Sequence, residues 1–109
     1  MKYNVLTIAP FDRQLKRLAK KFPSLKIEFA SLIKSLELNP ELGIPLGNNC
    51  FKIRLAIASK GRGKLGGARV ITHFYIDNDI VFLLTIYDKS EQTDVKDDEL
   101  KKLLSEIEK

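Results

Sequence analysis

The chain has 109 residues, 44% hydrophobic and 30% charged, with a net charge of +5. That size predicts one domain, residues 1–109, around one core. No apolar run approaches the roughly 20 residues that span a bilayer, which excludes a membrane protein, and Met1 is not followed by a secretory leader, so a cytoplasmic location is expected. A single cysteine, Cys50, excludes an intramolecular disulfide and a thiolate cage for zinc, and neither metal nor cofactor is expected.

The charge is unevenly spread. Through Tyr87 there are fourteen Lys and Arg against six Asp and Glu, and from Asp88 onward five against eight. Between Phe51 and Ile76 stand Lys52, Arg54, Lys60, Arg62, Lys64 and Arg69 with no carboxylate. Such clustering is the footprint of a polyanion-binding face, against the alternative of a merely soluble basic surface.

In chain order, Lys2–Ile8 reads as a short strand ended by Pro10. Phe11, Leu15, Leu18, Ala19 and Phe22 recur at three- and four-residue steps and predict a helix that Pro23 stops. Ser24 is positioned to cap a second helix with Leu25, Phe29, Leu32, Ile33 and Leu36 on one face, broken at Asn39-Pro40. The basic stripe of this αα-hairpin, with Arg13, Lys16, Arg17, Lys20 and Lys21 on the first helix, is either a solvated face or an extension of an RNA footprint. Glu41–Asn49, with Gly43, Pro45, Gly47 and an Asn pair, reads as a loop.

The period then changes to two. Phe51, Ile53, Leu55 and Ile57 share one face of a strand over Phe51–Ala58, and Lys52 and Arg54 point the other way. Ala68–Ile76 is a second strand with Arg69, His73 and Tyr75 opposite Val70, Phe74 and Ile76. After the turn at Asp77-Asn78-Asp79, the apolar run Ile80–Tyr87 is expected in the middle of a sheet. Thr93 or Asp94 is expected to cap a last helix with Leu100, Leu103, Leu104 and Ile107 as its stripe and an anionic start. The predicted fold is α+β: an N-terminal strand, an αα-hairpin, a three-stranded antiparallel meander and a C-terminal helix, with the helices on one face of the sheet.

The segment Ser59–Val70, SKGRGKLGGARV, contains G-x-G-x-x-G at Gly61, Gly63 and Gly66. A dinucleotide site needs those glycines to open a helix, and here they lead into a strand. A P-loop fails too, because Leu65 follows Lys64 where Ser or Thr is required. What remains is a flexible cationic hairpin connection able to approach a phosphate backbone closely.

The series FKIRLAIASKGRGKLGGARVIT, then LLTIYDKSE, together with L-x-x-N-P-x-x-G at Leu36–Gly43, resembles the RelE/ParE superfamily of bacterial toxins, in its RelE-like and HigB-like branch. The similarity extends over nearly the whole chain. It implies the toxin of a toxin–antitoxin module, an mRNA endonuclease dependent on the ribosome and restrained by a cognate antitoxin in a hetero-oligomer. Cleavage by a 2′-hydroxyl requires alignment, charge stabilisation and proton transfer, without a compulsory metal. Lys52, Arg54 and Arg69 match family positions for orienting the phosphate and stabilising its transition-state charge. His73, the only histidine, is a candidate acid or base or else a packed strand residue. Tyr87 is a base-stacking or strand-end residue, and Asp88 a carboxylate at a position where relatives carry one. Lys60, Arg62, Lys64, Lys89 and Lys96 complete the expected RNA-contacting set. Ser90, Lys96 and Leu65 depart from the family, standing where close relatives carry arginine, tyrosine and serine.

Two other readings stay open: a non-catalytic ParE-like inhibitor of DNA gyrase, and an inactive RNA-binding toxin remnant. The antitoxin is expected to cover the basic face with acidic groups. The C-terminal helix is a candidate movable cover, or simply part of the core.

Overall fold

A computed structural model of the chain describes residues 2–60 and 66–107. Its described elements are β1 (Asn4–Thr7), α1 (Ala9–Lys21), α2 (Leu25–Leu38), β2 (Ile44–Gly47), β3 (Cys50–Leu55), β4 (Ala68–Tyr75), β5 (Ile80–Asp88) and α3 (Asp97–Ser105). The α+β architecture is as the patterning predicts. The meander β3–β4–β5 forms the antiparallel centre of a five-stranded sheet in the order β1-β5-β4-β3-β2.

The strand added to the predicted fold is β2. Ile44–Gly47, read from its glycines and proline as loop, pairs with β3, Ile44 opposite Lys52. Asn48 and Asn49 have φ of 53° and 58° and link Gly47 to its partner Cys50. That is a two-residue hairpin turn of the kind Asn favours, and Pro45 is tolerated because β2 is an edge strand. The predicted N-terminal strand is β1, which runs parallel to β5 with Val5 opposite Val81. A parallel neighbour requires a long crossover, supplied here by the α1–α2 hairpin and the strands after it.

Pro10 lies in the first turn of α1, where its missing N–H costs nothing. Phe11 and Leu18 are buried, and the Phe22 N–H closes the helix on the Leu18 carbonyl at 2.8 Å. Ser24 precedes α2 without a side-chain cap. Its Oγ instead meets Glu28 at 3.1 Å and Ser59 at 2.8 Å, tying the start of α2 to the segment after β3. The last helix starts later than expected, with Lys96 at its cap position. Asp94 is not available to cap it, because its carboxylate accepts the Val95 N–H at 2.9 Å and pairs with Lys52.

Side chains directly opposite one another in an antiparallel ladder share a face, so Ile53, Val70 and Ile86 form one cross-strand row on the side that α1 and α2 cover. All three are buried, as are Phe11, Leu25, Leu32 and Leu36 of the helices, each contributing about 1.5–3 kcal/mol by leaving water. β5 carries a bulge: Ile71 pairs with Thr85 and Thr72 with Leu83, leaving Leu84 unmatched. This extra residue reverses the alternation within β5. It explains an apolar run without period two, since Leu83, Leu84 and Ile86 are all fully buried.

Candidate functional site

The register across the sheet assembles the site. Arg54 of β3 lies opposite Arg69 of β4, and Arg69 lies opposite Tyr87 of β5. One step along, Lys52, Ile71 and Thr85 form the next row of the same face. Three predicted cations and the predicted tyrosine thus converge on the face turned away from α1 and α2. Thr85, which the sequence patterning does not single out, joins them by ordinary alternation from Tyr87.

Their environments differ. Arg54 is exposed at the edge of the site, whereas Arg69 is only 3% exposed and donates from Nη1 to the Ala68 carbonyl at 3.1 Å. Lys52 is half-buried and reaches Asp94 Oδ1 at 3.6 Å. The Tyr87 hydroxyl is buried without a hydrogen-bond partner among the described residues. Burial pushes the Tyr87 phenol up to about 12, Asp94 and Glu99 adding to the rise and Arg69 opposing it. The phenol is therefore a neutral proton donor at physiological pH.

The anionic start of the C-terminal region lies over this face. Besides the Lys52–Asp94 pair, the Gln92 amide donates to the Asp94 carbonyl at 2.8 Å and to Glu99 Oε1 at 3.2 Å, making one polar strap. Leu100 and Leu103 of α3 are buried in the core. The helix completes the core, and its acidic lead-in pairs with Lys52.

The remaining predicted residues lie elsewhere. His73 shares the face of Arg69 but stands four residues along β4, about 13 Å away at the strand rise. There its Nδ1 meets Cys50 Sγ at 3.6 Å, and burial lowers its pKa, opposed by a hydrogen bond with the Asn48 backbone. Burial also pushes the Cys50 thiol up to about 11. Asp88, one residue past Tyr87, is turned by alternation to the helix side, opposite Ala68. It is fully buried, accepts bonds from Lys60 Nζ, from the Ser90 N–H at 3.0 Å and from the Ser90 hydroxyl at 2.8 Å, and faces Lys21 of α1 at 3.8 Å.

Asp88 and Lys60 therefore do not join the Arg69 cluster. They form an ion pair that fastens the end of the β3–β4 connection to the end of β5. Lys89 extends the ladder through its N–H to the Gly67 carbonyl at 3.1 Å, and Lys96 is exposed ahead of α3. Arg62 and Lys64 lie outside the described residues. Gly67 shows what one glycine of the connection is for: a Cβ there would stand 2.1 Å from the Leu55 carbonyl oxygen. The close approach it permits is by the chain's own backbone.

Residues 12–108 match the family model described as the RelE toxin of the RelE/RelB toxin–antitoxin system. The chain belongs to the RelE toxin family. Two solved structures resemble this RelE-family chain in fold. A double mutant of the Escherichia coli toxin RelE in the free state superposes with a TM-score of 0.59 at 16% identity, covering 97% of this chain and 94% of that one. The RelBE2 toxin–antitoxin complex of Mycobacterium tuberculosis gives a TM-score of 0.58 at 22% identity, covering 81% of this chain and 99% of the matched one. No helix among the described residues is long and apolar enough to cross a membrane.

Proposed function

We propose that this RelE-family toxin is a ribosome-dependent mRNA endonuclease of the cytoplasm, held inactive by a cognate antitoxin. The observation that carries the reading is the cross-strand row Arg54–Arg69–Tyr87 with Lys52 beside it. The two arginines hold directly opposed positions on one face, and an anion held between them would be bound by both. A phosphodiester fits the row, because each guanidinium forks onto non-bridging oxygens whose charge grows in the transition state.

In the proposed reaction the 2′-hydroxyl of one nucleotide attacks its own 3′-phosphate. The new 2′-O–P bond closes a cyclic phosphate as the bond to the next nucleotide's 5′-oxygen breaks. The attacking hydroxyl gives up one proton and the departing oxygen takes one up. Arg54 and Arg69 hold the phosphate, Lys52 adds charge stabilisation, and Tyr87, kept neutral, is the donor to the departing oxygen. The 13 Å between Arg69 and His73 suits His73 to a neighbouring nucleotide of the same strand.

Arg69 and Tyr87 are 3% and 4% exposed, so RNA reaches them only after the Gln92–Glu99 strap moves aside. Primer extension on translated transcripts after brief induction tests the proposal. New 5′ ends with the wild type, lost with Arg69→Ala, are expected. Intact transcripts accompanied by inhibition of gyrase supercoiling would instead establish the ParE-like reading.

A further inference from the structure

On the side of β3 away from β4, the sheet stops short. β2 pairs with β3 only as far as Ile44 opposite Lys52, so Ile53, Arg54 and Leu55 have a neighbouring strand on one side alone. Among the described residues, no backbone hydrogen bond from outside the sheet reaches these three. Beside this free edge lies an open groove of about 500 Å³ between β3 and α2. Glu28, Ser31 and Ser35 of α2 form one wall, and Leu42 and Ile44 supply apolar surface at the β2 end, Ile44 being 45% exposed. Glu28 is fixed in place, because its carboxylate accepts the Ala58 N–H and the Ser24 hydroxyl. Arg54 belongs both to this groove and to the cross-strand row with Arg69.

We propose that the groove seats one base of the RNA strand whose phosphate Arg54 and Arg69 hold, an inference that rests on the endonuclease reading. The length of the free edge selects the class of occupant. At about 3.3 Å per residue three residues span roughly 10 Å, against the ~17–20 Å of a usual strand, so an added peptide strand finds too little to pair with. A single nucleobase is of that size. Its edge carries coplanar donors and acceptors that can bond an N–H and a C=O of β3, while its ring lies against Leu42 and Ile44. Glu28 adds selectivity. Adenine, cytosine and guanine each carry an exocyclic amino group that can donate to its carboxylate, whereas uracil has none and its carbonyls are repelled there. Arg54, at the shared rim, joins the seated base to the phosphate under attack.

The test is an amide NMR titration of the full chain with the 5′-monophosphates of adenosine, cytidine, guanosine and uridine. Saturable shifts of the Ile53, Leu55 and Ser31 amides are expected with the first three, and binding of the uridine nucleotide should be at least about tenfold weaker. Ser31→Phe and Ser35→Phe, changes at exposed positions that fill the groove, should each weaken the cytidine nucleotide at least about tenfold and redistribute the cut positions mapped by primer extension. The trinucleotide UpCpU should bind more tightly than the cytidine monophosphate, since its further phosphate reaches the cation row. Silence of the groove amides overturns the proposal, as does equal binding of the uridine nucleotide or unchanged binding in both variants. A trinucleotide no tighter than the monophosphate would give the groove to free nucleotides and overturn its assignment to RNA. Transcripts left intact by a protein whose groove amides still respond would sink the endonuclease reading alone, and silent amides in a protein that cuts would sink this inference alone.

Discussion

Arg54 and Arg69 stand directly opposite each other across β3 and β4, two like charges in one cross-strand pair. A phosphate held between them, as in the proposed function, would engage both guanidiniums. Arg69→Ala is expected to reduce RNA cleavage by about 10²–10³-fold, the scale for removing one oriented charge-stabilising donor, while the protein stays folded. Primer extension beside a thermal melt checks both halves, and full cleavage by the folded variant would sink the proposed site.

The Lys52–Asp94 bridge is partly exposed, with Asp94 60% accessible, so it contributes at most about 1 kcal/mol to stability. Its larger effect is on access. Asp94→Ala should tighten binding of a short RNA severalfold and leave the melting temperature nearly unchanged. Fluorescence anisotropy provides the measurement, and weaker binding would show that the strap assists the substrate rather than competing with it.

Asp88 belongs to the scaffold. Asp88→Asn leaves the Lys60 ammonium, only 11% exposed, without its counter-charge, and should destabilise by about 3–5 kcal/mol in urea unfolding. Burial raises the Asp88 carboxyl, but hydrogen bonds from Lys60 and Ser90 outweigh it and hold the group below its ordinary 3.8. The sign follows: this stabilisation is complete above pH 3.8 and is lost as pH falls through the lower folded value. Wild-type stability should therefore drop below pH 4 more steeply than that of Asp88→Asn.

Cys50 is fully buried and its thiol is pushed up to about 11, so its nucleophilic thiolate is scarce at neutral pH. Native protein at pH 7.5 should resist a thiol reagent that labels it promptly in denaturant. Rapid native labelling, read by mass spectrometry, would contradict the placement of Cys50 against His73.

Gly67→Ala drives a methyl into the Leu55 carbonyl, 2.1 Å from where the Cβ must sit. Backbone on both sides leaves little to yield, and a loss of about 1–3 kcal/mol in stability is expected. A variant as stable as wild type would mean that β3 and β4 separate at this end more easily than their register suggests.

Much of this was written in plain residue patterns. Alternation placed Lys52 and Arg54 on one face, and the periods of α1 and α2 identified their buried sides. Three features were not legible, each for a physical reason. β2 hid because Pro45 and Gly47 carry loop chemistry yet occupy an edge, where a missing donor is harmless. The bulge at Leu84 left no mark in an unbroken apolar run, although it decides which face Leu83 and the residues before it take. Asp88 stands at a position where relatives carry a carboxylate, yet strand alternation sends it and Tyr87 to opposite faces. The acidic lead-in to α3 did show in the charge asymmetry, but its partner Lys52 emerged only from the fold.

The parallel pairing of β1 with β5 has a consequence for biosynthesis. The first strand to leave the ribosomal exit tunnel must wait for the last, because β5 fills the gap between β1 and β4. Arg69 therefore gains its neighbour Tyr87 only after β5 has been synthesised, so the cross-strand row cannot assemble before that strand emerges.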